Sequence, residues 1–316
     1  MRKARALLLA SLAATSCGGT PTQPAPSPTP IAGPTADPDP IIAAAGDIAC
    51  GNGTGRGTPC RQMETSELLV QSRPAAVLSL GDNQYESGEF ADYQRFYDVS
   101  WGRLKAITRP APGNHDYATT AARGYFDYFA GVGRLTSEVT GDRNEGWYSF
   151  DVGTWQLIAL NSNCASVGGC GANSRQVTWL RQDLQRSRAN RTLAYWHHPR
   201  FGSGQSRDDR TYQPFWETLY EFGADVVLVG HEHSYERFSP QTPTGQLDRT
   251  RGIREFVVGT GGHSFQPQGD PLNNSEIRNN STFGVLRMRL RPTSYEWKFE
   301  GIPGSTFTDT GGDTCH

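Results

Sequence analysis

Apolar residues in this chain come in short runs, and the runs end in a recurring way. IIAAAGDIA (41–49) is apolar and then meets Gly-Asp, and AAVLSLGDNQY (75–85) does the same. KAITRPAPGNHD (105–116) ends in Gly-Asn-His-Asp, TLAYWHHP (192–199) in adjacent histidines, and ADVVLVGHEH (224–233) in two histidines one residue apart. Apolar runs of this length, without a helical period, predict buried strands. WYSFDVG (147–153) and WQLIALNS (155–162) predict consecutive strands, and EFVVGTGG (255–262), FGVLRMRL (283–290) and SYEWKF (294–299) predict late ones. Helical spacing marks four segments between them. These are Met63–Val70, residues 89–98 with Phe90, Tyr93 and Tyr97 on one face, residues 174–187, and Tyr212–Phe222. In the third, Val177, Leu180 and Leu184 share a face and Ser174 stands as N-cap.

Strands alternating with helices predict a layered α/β domain. The first strands are β–α–β in style and the later ones hairpin-connected, so a mixed-sheet sandwich is expected rather than a purely parallel fold. The domain spans 41–316, with no internal repeat or boundary.

What precedes it has another character. Residues 1–17, MRKARALLLASLAATSC, place three basic residues before a short apolar run, too short for a bilayer-spanning helix. This is the pattern of a signal peptide. Ala14-Thr15-Ser16-Cys17 resembles a bacterial lipobox, although Ala stands where a larger aliphatic residue is usual. Residues 18–40 carry proline every few positions and predict an extended tether. At ~3.1 Å per residue it reaches roughly 70 Å. The expected location is outside the cytoplasm, as a cell-envelope lipoprotein or a secreted protein, with membrane contact only through a lipid on Cys17. Cys50/Cys60 and Cys164/Cys170 are spaced like local loop staples, which leaves Cys315 over. Net charge is −2 and the pI is 6.4, so no polyanion-binding surface is expected and nucleic acid is not a stable partner.

The candidate chemistry lies at the strand ends. Asp47, Asp82, Asn114, His197 and the pair His231/His233 each follow a predicted strand, and glycine precedes Asp47, Asp82, Asn114 and His231. Open α/β sheets bind ligands beyond the carboxyl ends of their strands, so these side chains converge if the strands are neighbours. A glycine there lets the chain turn sharply and approach closely. Singly, a Gly-Asp is a turn and a histidine a surface or core residue; one shared site explains all five segments together. Two Asp, one Asn and three His form a mixed oxygen/nitrogen donor set, suited to iron, zinc or manganese rather than calcium or magnesium. The set is too large for one tetrahedral zinc and fits two metals sharing a carboxylate.

The series GD (46–47), GDNQY (81–85), GNHD (113–116), AYWH (194–197) and GHEH (230–233) resembles the calcineurin-like metallophosphoesterases. More narrowly it resembles the purple acid phosphatases. Tyr85 follows Asp82 at the GDxxY spacing, GHEHSYER is close to GHxHxYER, and Asp47-Ile48-Ala49 lacks the histidine that many other members carry. The resemblance implies a four-layer α-β-β-α sandwich with mixed sheets and a metal site at the strand C-terminal ends. It implies that Asp47, Tyr85 and His233 hold one metal, expected to be Fe(III). Asn114, His197 and His231 would hold a divalent Fe, Zn or Mn, with Asp82 bridging. His115 would be the catalytic residue beside them, contacting phosphate or protonating the leaving group. A water shared by the two cations would then attack a small phosphate monoester. Phosphodiesters or nucleotides are the alternative substrates, and an inactive binding protein on this fold is the rival from another class.

Neighbouring residues are less marked. The family's ligand precedes an x-Pro dipeptide, so the resemblance implies His197 rather than His198, which points the other way if the strand continues. Arg200, Arg207 and Arg210 are spaced to meet a phosphate or simply to solvate a loop, His263 to border the pocket, and Trp147, Trp155 and Trp179 to serve the core.

Overall fold

A computed structural model describes residues 39–316, apart from 52, 53 and 56. The predicted signal peptide (1–17), Cys17 and nearly all of the predicted tether (18–40) lie outside the described residues.

In chain order the main elements are β1 (Ile41–Ala45), α1 (Gln62–Ser72), β2 (Ala76–Leu80), β3 (Thr108–Ala111), α2 (Arg123–Phe129), β4 (Tyr148–Val152) and β5 (Trp155–Ala159). They continue with α3 (Arg175–Arg186), β6 (Arg191–Tyr195), α4 (Gln213–Glu221), β7 (Val226–Val229), β8 (Tyr235–Phe238) and β9 (Arg254–Val258). The chain closes with β10 (Ser275–Asn279), β11 (Gly284–Leu290), β12 (Ser294–Gly301) and β13 (Thr308–Thr314). A six-stranded sheet has the order β13-β12-β11-β1-β2-β3, and a seven-stranded sheet the order β10-β8-β9-β7-β6-β5-β4. Both are mixed. β1, β2 and β3 run parallel, while β11 pairs antiparallel with β1. β5, β6, β7 and β9 run parallel, flanked by antiparallel β4 and β8.

Side-chain alternation explains the layers. Leu193 and Tyr195 of β6, and Val226 and Leu228 of β7, share one core with Ile42, Val77 and Leu286 of the other sheet. Ala194, Val227 and Val229, on the opposite face, pack with Val177, Leu180 and Leu184 of α3 and Phe215 and Leu219 of α4. A strand covered on both faces reads as continuously apolar, which is why VVLV shows no alternation. α1 and the helical turns around Tyr93, Tyr97 and Trp101 cover the six-stranded sheet. The result is the expected four-layer α-β-β-α sandwich. Fully burying one such Leu or Val contributes about 1.5–3 kcal/mol.

Residues 89–98 depart from the expected regular helix. Only Phe90–Asp92 is α-helical, and Tyr93–Tyr97 then widens to a five-residue repeat in which Asp98 N–H donates to Tyr93 O. Tyr93 and Tyr97 are buried as their spacing predicts. β8, β10 and β13 are strands that the apolar pattern does not mark. β13, TDTGGDT, is an edge strand whose Gly311 lies where a Cβ would meet the Trp297 indole at 2.3 Å. Ser174 caps α3, accepting from Val177 N–H at 3.2 Å. Disulfides join Cys50 to Cys60 and Cys164 to Cys170, and Cys315 is the one free cysteine among the described residues. No described helix is long and apolar enough to cross a membrane.

Candidate metal centre

Three parallel strands of one sheet and two of the other deliver the predicted residues to one place. Asp47 follows β1, Asp82 follows β2, Asn114 follows β3, His197 follows β6, and His231 and His233 follow β7. Asp47, Asp82 and His231 have φ of +62°, +48° and +67°. Asp and His enter this left-handed region more readily than most residues, and its cost is held by surrounding structure. Gly81, at φ +86°, makes the predicted turn together with Asp82, whereas Asp47 and His231 make it in place of their glycines. The glycines serve close approach. A Cβ on Gly113 would stand 2.1 Å from Asp82 Oδ1, and one on Gly230 would stand 2.8 Å from Asp47 Oδ2.

The side chains meet in a tight cluster. Tyr85 Oη lies 2.8 Å from Asp47 Oδ1, 2.8 Å from Asp82 Oδ2 and 3.0 Å from His233 Nε2. His233 Nε2 is also 3.2 Å from Asp47 Oδ1. His197 Nε2 is 3.2 Å from Asp82 Oδ2, from Asn114 Oδ1 and from His231 Nδ1. Asp47 and Asp82 are buried. His115 stands at the rim, about one-third exposed, with its backbone N–H donating to Asp82 Oδ1 at 2.8 Å and its ring 4.3 Å from that of Tyr85.

Hydrogen bonds alone do not satisfy this cluster. The Tyr85 hydroxyl has one hydrogen but approaches two carboxylates equally. His197 Nε2 faces two acceptor oxygens and another imidazole nitrogen. Two buried carboxylates also need positive charge nearby. Burial raises the Asp47 and Asp82 carboxyls, but His233 at Asp47 and His197 at Asp82 outweigh it, and both fall below the ordinary range. Burial would lower His197, yet Asp82 and Asp47 bring it up to about 9. Burial and the two carboxylates push Tyr85 upward, so a phenolate there requires a cation. Crowded acceptors with too few hydrogens are what metal ions resolve, and the donor set of two carboxylates, a phenol, an amide and three imidazoles fits two of them. Ring nitrogens or carboxylate oxygens of Asp47, Asp82 and His197 lie within 4.8 Å of one another, as do ring nitrogens of His197, His198 and His231.

His198 corrects the expectation that it points away. β6 ends at Tyr195, so strand alternation stops short of it. Its ring lies 4.4 Å from that of His231.

Other motif residues hold the loops, and sequence spacing did not single them out. Asp116 accepts from Tyr93 Oη at 2.5 Å, Asn83 Nδ2 at 2.9 Å and Gly113 N–H at 2.8 Å, tying the GNHD loop to the GDNQY loop. Glu232 and Glu236, the acidic residues of GHEHSYER, clamp the loop after β6. Glu232 accepts from Gln205 and Ser206 N–H, and Glu236 from Ser203 N–H at 2.8 Å. His263 lies stacked on Tyr85. Arg200 is buried and paired with Asp208, and Arg207 and Arg210 are exposed. Trp147 and Trp155 are core residues, and Trp179 is half-buried beside Trp147.

Comparison with known proteins agrees with this geometry. A family model described as calcineurin-like phosphoesterase matches residues 40–235, which include every predicted metal ligand and His115. The human protein named acid phosphatase type 7 is 26% identical over 221 residues, 64% of this chain and 48% of its own. Purple acid phosphatase 15 of Arabidopsis thaliana is 26% identical over 265 residues, 74% of this chain and 47% of its own. The chain thus spans about half the length of these curated relatives. Purple acid phosphatase PPD1 from yellow lupin shares the fold, with a TM-score of 0.71 at 16% identity over 87% of this chain and 53% of that one. GAP50, described as the anchor in the inner membrane complex of Plasmodium, also shares it, with a TM-score of 0.62 at 15% identity over 86% of this chain and 88% of that one. The resemblance carried by the strand-end motifs therefore extends through most of the sandwich, and the chain belongs to the calcineurin-like phosphoesterase family.

Proposed function

We propose that this protein is an exported, metal-dependent phosphatase that hydrolyses small phosphate monoesters. The observation that carries the reading is Tyr85 Oη, set 2.8 Å from both Asp47 and Asp82 and 3.0 Å from His233. On this reading Asp47, Tyr85 and His233 hold one ion, expected to be Fe(III). Asn114, His197 and His231 hold a divalent Fe, Zn or Mn, and Asp82 serves both. Two such ions would neutralise phosphoryl oxygens and lower the pKa of water. Tyr85 supplies a hard anionic donor suited to a trivalent ion.

His115 contacts the phosphate or protonates the leaving group. Its Nδ1 lies 2.5 Å from the Glu86 carbonyl, an acceptor only, so Nδ1 carries hydrogen. Export is supported by the N-terminal pattern and by two disulfides, which persist in oxidising compartments. The chain has no strongly basic balance to suit nucleic acid, and a lipid on Cys17 would be its only membrane contact. The test is hydrolysis of p-nitrophenyl phosphate against bis(p-nitrophenyl) phosphate by the metal-loaded protein. Faster turnover of the monoester, abolished by Asn114→Ala with the fold retained, is expected. Preference for the diester would overturn the substrate class, and activity unchanged in Asn114→Ala would overturn the site.

A further inference from the structure

We propose that His198 is a further catalytic residue, whose Nε2 donates a hydrogen bond to a phosphate oxygen on the His197/His231 side of the site. The inference rests on the phosphatase reading above and adds a second substrate-contacting imidazole to it. His115 stands beside Tyr85; His198 stands beside the other predicted metal.

Three observations place the ring. The turn after β6 is pinned by buried Trp196, whose Nε1 donates to the His198 carbonyl at 2.7 Å. The His198 ring is tilted against His231, with centroids 4.4 Å apart, and lies edge-on to His197 at 4.8 Å. Tyr212 stacks near it, with planes 16° apart and centroids 5.7 Å apart. The ring is thus confined on several sides, with a nitrogen within 4.8 Å of donor atoms on His197 and His231.

Ser162 sits against His198 Nδ1, where its hydroxyl can select the tautomer. Its Oγ accepts the His198 backbone N–H at 3.0 Å and lies 2.7 Å from His198 Nδ1. With the hydroxyl accepting from the amide, its own hydrogen is free to go to Nδ1. In the tautomer the proposal requires, Nδ1 accepts from Ser162 Oγ and the ring hydrogen resides on Nε2. An imidazole in that state has no lone pair left for a metal, which separates His198 from its neighbours. Among the described residues Nε2 has no hydrogen-bond partner. An unspent N–H at the edge of a phosphate site finds its acceptor in the substrate, and the neutral ring suffices.

The probe is inorganic phosphate, titrated as a competitive inhibitor of the metal-loaded full chain, with elemental analysis of each sample. His198→Ala is expected to keep both metals and weaken phosphate binding about tenfold, the loss of one hydrogen bond to a charged group. His198→Asn retains an N–H donor and should recover part of the affinity. Ser162→Ala, which frees the tautomer, should lie between wild type and His198→Ala. Loss of metal in both His198 variants would make the residue a ligand and overturn the proposal, as would phosphate affinity unchanged in His198→Ala. A wild-type protein that holds no metal and binds no phosphate would instead sink the phosphatase reading, and this inference with it.

Discussion

Tyr85 and His263 stack face to face, with ring centroids 3.6 Å apart and planes 10° apart. His115 leans on the same phenol ring at 4.3 Å. Glu86 reaches both histidines, its carboxylate 3.3 Å from His263 Nε2 and its carbonyl 2.5 Å from His115 Nδ1. The phenol is thereby fixed between two imidazoles, which holds its oxygen midway between Asp47 and Asp82. His263→Ala is expected to lower stability by about 1–3 kcal/mol, from lost stacking and a buried void. His263→Phe should restore most of it. Urea unfolding would show this as a shifted midpoint, and equal midpoints for wild type and His263→Ala would contradict it.

Gly113 tests whether close approach positions Asp82. An added Cβ would stand 2.1 Å from Asp82 Oδ1 and 2.2 Å from its backbone nitrogen. Gly113→Ala should displace that carboxylate, cost about 1–3 kcal/mol by overpacking, and lower the metal content measured by elemental analysis. Gly171 faces nothing within 4 Å. Gly171→Ala should change stability by no more than about 0.5 kcal/mol and leave the metal content intact.

The titrating groups predict how the protein behaves after chelation. His197 is raised to about 9 from 6.5, by carboxylates that outweigh burial. Its contribution to stability is complete below about pH 6.5 and lost as pH rises to 9. His231 is lowered to about 4 by burial and then by His197, and His263 to about 4 by burial and then by His233. Between about 4 and 6.5 the unfolded chain binds more protons at these two, so their contribution is lost as pH falls. Asp47 and Asp82, held below the usual range, lose theirs in stronger acid. The chelated protein should therefore melt highest near about pH 6.5 and lower on both sides. Scanning calorimetry across that range checks it, and a melting temperature rising steadily toward alkaline pH would contradict it.

Much of this was legible in the chain because the same strands make the fold and the site. A run such as VVLV is apolar throughout only when both faces are covered, and a donor after each such run follows from sheet topology. What the pattern hid depends on contacts far apart in sequence. β13 is rich in Gly and Thr because it is an edge strand packed on Trp297, so no apolar run marks it. Residues 89–98 kept the spacing of Tyr93 and Tyr97 while the backbone between them widened. Alternation turns His198 outward only if the strand continues, and the end of β6 at Tyr195 removes that condition. Glu232 and Glu236 carry no mark in the sequence pattern, and their role emerges only when the loop after β6 lies over them.

On the proposed reading Asp47, Asp82, Tyr85, Asn114, His197, His231 and His233 hold two metals, with Tyr85 on a ferric ion. The most direct measurement is a visible absorption spectrum of the purified, oxidised protein, with elemental analysis of the same sample. A broad charge-transfer band, lost in Tyr85→Phe, with about two metal ions per chain including iron, is the predicted result. Two metals with no such band would remove Tyr85 from the ferric ion, and fewer than about two ions per chain after metal loading would contradict the dinuclear centre itself.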